Sequence, residues 1–390
     1  VENIVKFKHL KIAGLISLLI AAILTIAIFG FSCVSGLSAV GWSGGVVGNN
    51  TLYVGSMEGR LAAINLIDDS RQWAEPLKVQ AQSGLLSCTS ALSCGGGTSR
   101  VPIYATPVIS DNLVYVAGYN GKIYAYNTIN LAQRWIFPRD TYLQPFVGGI
   151  VIDNGRLYVG CADGFIYCLD ATTGDLISSY KTDEKIWGTP TVADDTVYIG
   201  SFDKSFYALN AGDLTFKWKY TADGSIIAKP LVKDGIVYIG SFDKYLYALN
   251  AESGTLEWKF QGNNWFWTQP VIVNDMLYAG CLDGFIYVLN PITGATIHVF
   301  NNEEIALISP FASQPAVEDN YVVFASQVGI VYRIDTTTQE IKQLAVLTGT
   351  ITGPLTINDG IIYFQTQDIA IQRIDVATGA LLPSISLISG

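Results

Sequence analysis

Charged side chains are scarce in this chain: Asp, Glu, Lys and Arg together make up 14% of its 390 residues, and only two histidines occur, His9 and His298. That scarcity removes most of the apparatus of acid–base catalysis, which places a histidine or a tuned carboxylate beside the reacting group. No nucleophile stands with a histidine base, no glycine-rich phosphate loop is present, and Cys and His do not fall at zinc-ligand spacing. Positive charge is short as well: beyond residue 11, 20 basic residues face 32 acidic ones. Such a surface repels phosphate backbones, so nucleic acid is excluded as a partner.

What remains is apolar, aromatic and glycine-rich: 50% hydrophobic residues, 12% aromatics and 38 glycines. This is the profile of many short strands joined by tight turns, and the expected class is all-β.

The longest uncharged run is IAGLISLLIAAILTIAIFGFS, residues 12–32. At about 1.5 Å per residue it is long enough to cross a hydrocarbon core of about 30 Å as a helix. Lys6, Lys8 and Lys11 precede it, so residues 1–11 form a basic cytoplasmic arm and everything after Cys33 is exported. The run exceeds an ordinary signal-peptide core, which favours a retained anchor. Against that, Cys33 follows a small residue, Ser32, where a lipoprotein signal places its acylated cysteine. Both readings, transmembrane anchor or lipoprotein-type signal, keep the chain at a membrane on its extracytoplasmic side. Residues 33–41 are then a short linker, and Val34 to Gly41 spans at most about 28 Å.

Beyond the linker the chain repeats itself. A Tyr-[Val/Ile]-Gly-type strand recurs at Tyr53, Tyr115, Tyr158, Tyr198, Tyr238 and Tyr278, with weaker copies at Val323 and Tyr363. Successive anchors lie 62, 43, 40, 40, 40, 45 and 40 residues apart. Each unit has room for four strands, and eight copies at this period predict an eight-bladed β-propeller of four-stranded antiparallel blades over 42–390, with seven blades the alternative. The long first interval is one unit plus an insertion, 76–102. Within that insertion Cys88 and Cys94 are candidates for a small disulfide loop. Cys161, Cys168 and Cys281 fall inside strand patterns and read as core residues.

Each unit carries its own turn chemistry. Asp163, Asp203, Asp243 and Asp283 stand five residues after their anchors, where a carboxylate can accept backbone N–H bonds. Being repeat-equivalent, they sit on different blades and do not converge as an acid and a base. Twenty residues after the anchor comes Trp73, Trp135, Trp218 or Trp258, a flat ring suited to wedge between neighbouring sheets. Ser178 and His298 take that slot in two units, which makes His298 a packing substitute and leaves no candidate catalytic or metal-binding residue.

The stretch YIGSFDKYLYALNAESGTLEW, from Tyr238 to Trp258, resembles the pyrroloquinoline quinone (PQQ)-like repeat with its tryptophan docking motif. The similarity extends over about residues 42–390. In character the chain is similar to the cofactor-free, membrane-anchored or lipoprotein members of that family, such as the outer-membrane assembly propeller. This resemblance implies a protein-binding scaffold with no cofactor. The alternative it implies is a quinoprotein oxidoreductase, or a quinone-binding sensor, holding PQQ with calcium. Family enzymes of that kind use a vicinal cysteine pair and long loops between blades, and both are missing here.

Eleven residues before the anchors stand Trp42, Tyr104, Trp187 and Trp267, with Trp265 two residues from the last. Equivalent positions form a ring about a propeller axis, so these aromatics either line one mouth of the channel or pack the ends of the innermost strands. As a mouth they would bind an extracytoplasmic or membrane protein partner.

Overall fold

The computed structural model describes residues 43–56, 58–77, 101–301, 304, 308–366 and 370–388. The basic arm 1–11, the apolar run 12–32 and the linker 33–41 lie outside these residues, as do Cys33, Trp42, Cys88 and Cys94. Among the described residues no helix is long and apolar enough to cross a membrane.

Thirty-two strands form eight antiparallel four-stranded sheets, each built from consecutive strands. These are blades 1 to 8, spanning 45–73, 108–137, 150–181, 191–221, 231–261, 271–300, 316–346 and 356–386. The count of eight settles the alternative of seven.

Both faces of every blade are buried, which explains why the strands read as nearly continuous apolar runs. In strand Thr51–Gly55, Leu52 and Val54 point into a cluster shared with blade 8, while Tyr53 points into one shared with blade 2. The same division recurs around the ring, so the core is eight apolar clusters, one at each blade boundary.

Three boundaries are docked by tryptophan. Anchor Tyr198 pairs across the strands with Ala208, and Ala208 pairs with Trp218, so the small residue lets the two rings meet at 5.9 Å. Tyr198 Oη and Trp218 Nε1 then both donate to the carbonyl of Ala251 in blade 5, at 3.0 and 3.1 Å. Tyr115 and Trp135 do the same to Ala171 of blade 3, and Tyr238 and Trp258 to Pro291 of blade 6. Each indole lies flat on a glycine with positive φ. A Cβ on Gly254 would stand 2.4 Å from Trp218 Cε3, and Gly174 and Gly294 are equally tight against Trp135 and Trp258.

At two further boundaries the slot lacks its indole and the glycine is replaced, whereas blade 8 keeps Gly379, at φ 80°, against Leu344 of blade 7. Opposite Ser178 the left-handed position holds Leu214, 2% exposed, and Arg156 becomes the second donor beside Tyr158 on the Ala211 carbonyl, at 3.0 and 2.7 Å. Opposite His298 it holds Gln339, whose amide donates to Tyr278 Oη at 2.8 Å. Arg333 bonds the carbonyls of Val376 and Ala377 at 2.8 Å each. The ring closes without a shared strand, through Arg373 gripping Asp69 at 2.9 and 3.1 Å and Thr356 Oγ1 donating to Gly45 O at 2.6 Å.

Trp73 departs from expectation. It pairs with Ala62, not with the Tyr53 partner Ala63, and packs on the blade 8 side. Blades 2 to 6 carry a bulge that drops one residue from the outer pairing, and blade 1 pairs without one. A one-residue change of register turns a strand side chain to the opposite face. Leu131, at φ 52°, fills the boundary that Trp73 leaves.

Candidate functional site

The turn carboxylates set the position of the axial mouth. Asp243 accepts the Tyr245 N–H at 3.0 Å and the Tyr247 hydroxyl at 2.7 Å, closing its own hairpin. It also accepts the N–H groups of Asp223 and Gly224, at 3.0 and 3.2 Å, in the loop entering blade 5. Asp203 and Asp283 repeat the arrangement with Asp183 and Asn263. Burial and the adjoining carboxylate push the hydroxyls of Tyr167, Tyr207, Tyr247 and Tyr287 far above the ordinary tyrosine range. These acids hold loops in place and are not free to act on a substrate. The position after each carries Gly164 and Gly284 in two units but Lys204 and Lys244 at φ 69° and 75° in the others.

The loops so held enclose an axial channel of about 440 Å³, lined by residues from all eight blades. Tyr104, Trp187 and Trp267 line it, whereas Trp265 is 38% exposed on the rim. The rim rings touch one another across three blades. Trp187 meets Phe202 edge-on at 4.8 Å, Phe202 meets Phe242 at 6.3 Å, and Phe242 stacks on Trp265 at 4.2 Å and on Trp267 at 5.4 Å. Lys185 Nζ sits over both Trp187 and Phe202, at 4.5 and 4.3 Å. On the other side of the mouth Tyr104 meets Tyr119 at 5.1 Å.

One step deeper, nine residues before the anchors, lies a ring of small and neutral residues. Thr189 Oγ1 accepts the Gly149 N–H at 2.7 Å, Gln314 donates to Gln269 at 2.9 Å, and Gln269 donates to the Pro230 carbonyl at 2.7 Å. Lys229 is the one charged residue lining the channel, and it has no hydrogen-bond or ionic partner among the described residues. Burial pulls its ammonium below the ordinary lysine range.

Sequence reasoning missed Lys229, Phe202 and Phe242. The two phenylalanines stand four residues after anchors Tyr198 and Tyr238, so the repeat register itself was the available signal. His298 occupies the indole slot opposite Val288 and bonds Glu304 at 3.0 Å on the outer strand, away from the mouth. Cys161 and Cys281 donate to loop carbonyls as Ser201 and Ser241 do in their units, and burial raises both thiols.

The family model described as "Outer membrane protein assembly factor BamB" matches residues 32–147, 139–226 and 215–382. The chain belongs to this family. Among curated relatives, the family's Kangiella koreensis member is 25% identical over 198 residues, 41% of this chain and 48% of its own length. The Streptomyces griseus serine/threonine-protein kinase AfsK is 31% identical over 135 residues, 34% of this chain but 14% of the kinase. The chain thus spans about half or less of these relatives. Among solved structures, BamB from Moraxella catarrhalis superposes with a TM-score of 0.68 at 17% identity, covering 86% of this chain and 96% of that one. A computationally designed protein, Ika8, superposes with a TM-score of 0.69 at 15% identity and the same coverage. Both structural likenesses speak to the fold.

A calcium-held quinone is a poor match to the channel. Calcium takes about 6–8 oxygen ligands, usually including carboxylates. The lining holds no Asp or Glu, and its one charge is a cation.

Proposed function

We propose that the chain is a non-catalytic, membrane-anchored, extracytoplasmic propeller that acts as a protein-binding scaffold or assembly factor, with the axial mouth as its contact surface. The observation that carries this reading is the run of touching rings from Trp187 to Trp265 across blades 4 to 6. Large aromatic side chains held rigid by their neighbours supply contact area at little entropic cost, and such clusters are where binding energy concentrates. Family membership favours the same reading, and the apolar run 12–32 and Cys33 favour a place at the membrane.

The described ends of the insertion 76–102 lie beside the turn of blade 1. Leu77 N–H donates to Gly59 O at 2.8 Å, and the Val101 carbonyl lies against Gly59, so both ends of the inserted segment are tied to the blade 1 turn equivalent to those bearing Phe202 and Phe242.

Affinity purification from solubilised membranes tests this, comparing the wild type with a Trp187→Ala/Trp267→Ala variant. The expected result is a membrane-associated protein that co-purifies with the wild type and drops at least about ten-fold with the variant, hot-spot aromatics each contributing about 2 kcal/mol or more. Undiminished recovery would overturn the reading.

A further inference from the structure

Lys229 is out of keeping with its surroundings. The ring it belongs to is otherwise glycine, threonine, glutamine and proline; Thr189, Gln269 and Gln314 are tied to each other or to neighbouring backbone, and Thr106 is a small neutral hydroxyl. Lys229 is half-buried with none of these ties, and the nearest ring positions offer it no carboxylate. In the same channel lining Trp187 presents a buried indole N–H that has no acceptor among the described residues. Burial takes part of the Lys229 ammonium's hydration and no acceptor among those residues stands in for it, which disfavours the charged form. A carboxylate entering from the mouth would supply that acceptor, with apolar walls on either side that strengthen the attraction.

We propose that the axial channel is a receptor for a carboxylate on an apolar segment: an Asp or Glu side chain, flanked by apolar residues, on a loop of the protein partner. This inference rests on the reading of the mouth as a protein-binding surface and adds the chemistry of the segment that enters it. The channel's one charge is a cation, and Lys185 adds a second at the rim. The chain is acidic overall, 20 basic against 32 acidic residues beyond residue 11, so its net charge does not draw an acidic segment and the attraction must come from local cations such as Lys229. The depth also fits. Tyr104, Trp187 and Trp267 surround the entrance and would hold the flanking apolar side chains, while Lys229 lies one alternate residue further in.

The test uses the intact chain and two capped pentapeptides, Gly-Phe-Glu-Leu-Gly and the same peptide with Gln for Glu, followed by tryptophan fluorescence. The glutamate peptide should bind about ten-fold more tightly, the difference a charge-assisted hydrogen bond makes. Lys229→Met should abolish the preference while retaining weak binding of both peptides, and Lys229→Arg should restore it. Equal affinity of the two peptides, a preference that survives Lys229→Met, or no binding of either at millimolar concentration would overturn the proposal. Hexanoate binding that depends on Lys229, without binding of the glutamate peptide, would also overturn it and point to a free organic acid. Co-purification separates this from the wider reading: if Lys229→Met keeps the partner that Trp187→Ala/Trp267→Ala loses, the scaffold stands and the carboxylate anchor falls.

Discussion

The boundary between blades 4 and 5 and the boundary between blades 3 and 4 solve one packing problem in two ways. The first uses a large ring on a glycine, Trp218 on Gly254; the second uses a leucine in a left-handed backbone position, Leu214, over a serine, Ser178. Both deliver two donors to one carbonyl thirteen residues after the next anchor: Tyr198 and Trp218 to Ala251, Tyr158 and Arg156 to Ala211. The bond to that carbonyl is kept while the group that fills the gap changes. Volume is conserved across the pair of positions and not at either one, which is what close packing demands.

Raising the pH should act on both kinds of boundary at once and give the largest effect. Burial pushes Tyr115, Tyr158 and Tyr238 up to about 12. A tyrosine whose pKa is raised in the fold contributes stability that is complete below the unfolded value, about 10, and lost as the pH rises through 12. Thermal melts with phenolate absorbance should show these tyrosines ionising together with unfolding between pH 10 and 12. Ionisation at pH 10 with the fold intact would contradict the burial argument.

Forcing the wrong partner at a tryptophan boundary comes next. Gly254→Leu leaves Trp218 no room, and we expect a loss of about 3 kcal/mol or more in denaturant unfolding. The converse, Leu214→Gly, opens a cavity opposite Ser178 and should cost about 2–3 kcal/mol. Ser178→Trp with Leu214→Gly should recover at least about 1 kcal/mol of the summed single losses, since the two positions share one space. Additive losses would mean that the two solutions are not alternatives. Arg373→Met at the ring closure should cost about 1–2 kcal/mol, because Asp69 keeps its charge without its bidentate partner. Smallest is Lys229→Met, which touches no boundary and should raise stability by about 1 kcal/mol through loss of an unpaired half-buried charge.

Much of the fold was legible because the repeat was. The anchors, the turn carboxylates and the slots of Trp135, Trp218 and Trp258 follow from spacing alone, since each is fixed by the strand and turn to which it belongs. Trp73 was misplaced for the same reason: counting assumes that every blade carries the outer-strand bulge, and blade 1 does not. At the mouth, Tyr104, Trp187 and Trp267 could be found as a ring of equivalent positions. Lys229 could not be singled out, because a lysine draws notice only when its neighbours on other blades are known to be neutral and already bonded. Trp265, two residues from Trp267, stacks on the same Phe242 ring but stands 38% exposed on the rim, outside the channel lining.

The strand order puts the two ends of the propeller on distinct faces, with Phe242 in a hairpin at the mouth and Asp275, exposed, in a hairpin at the opposite end. A photoreactive amino acid placed at each position in turn, in cells and followed by irradiation, tests the account most directly. A discrete crosslink to a membrane-associated protein from position 242 and none from position 275 is the predicted result. Crosslinks from 275 alone, or from neither position, would contradict the claim that the axial mouth is the working surface.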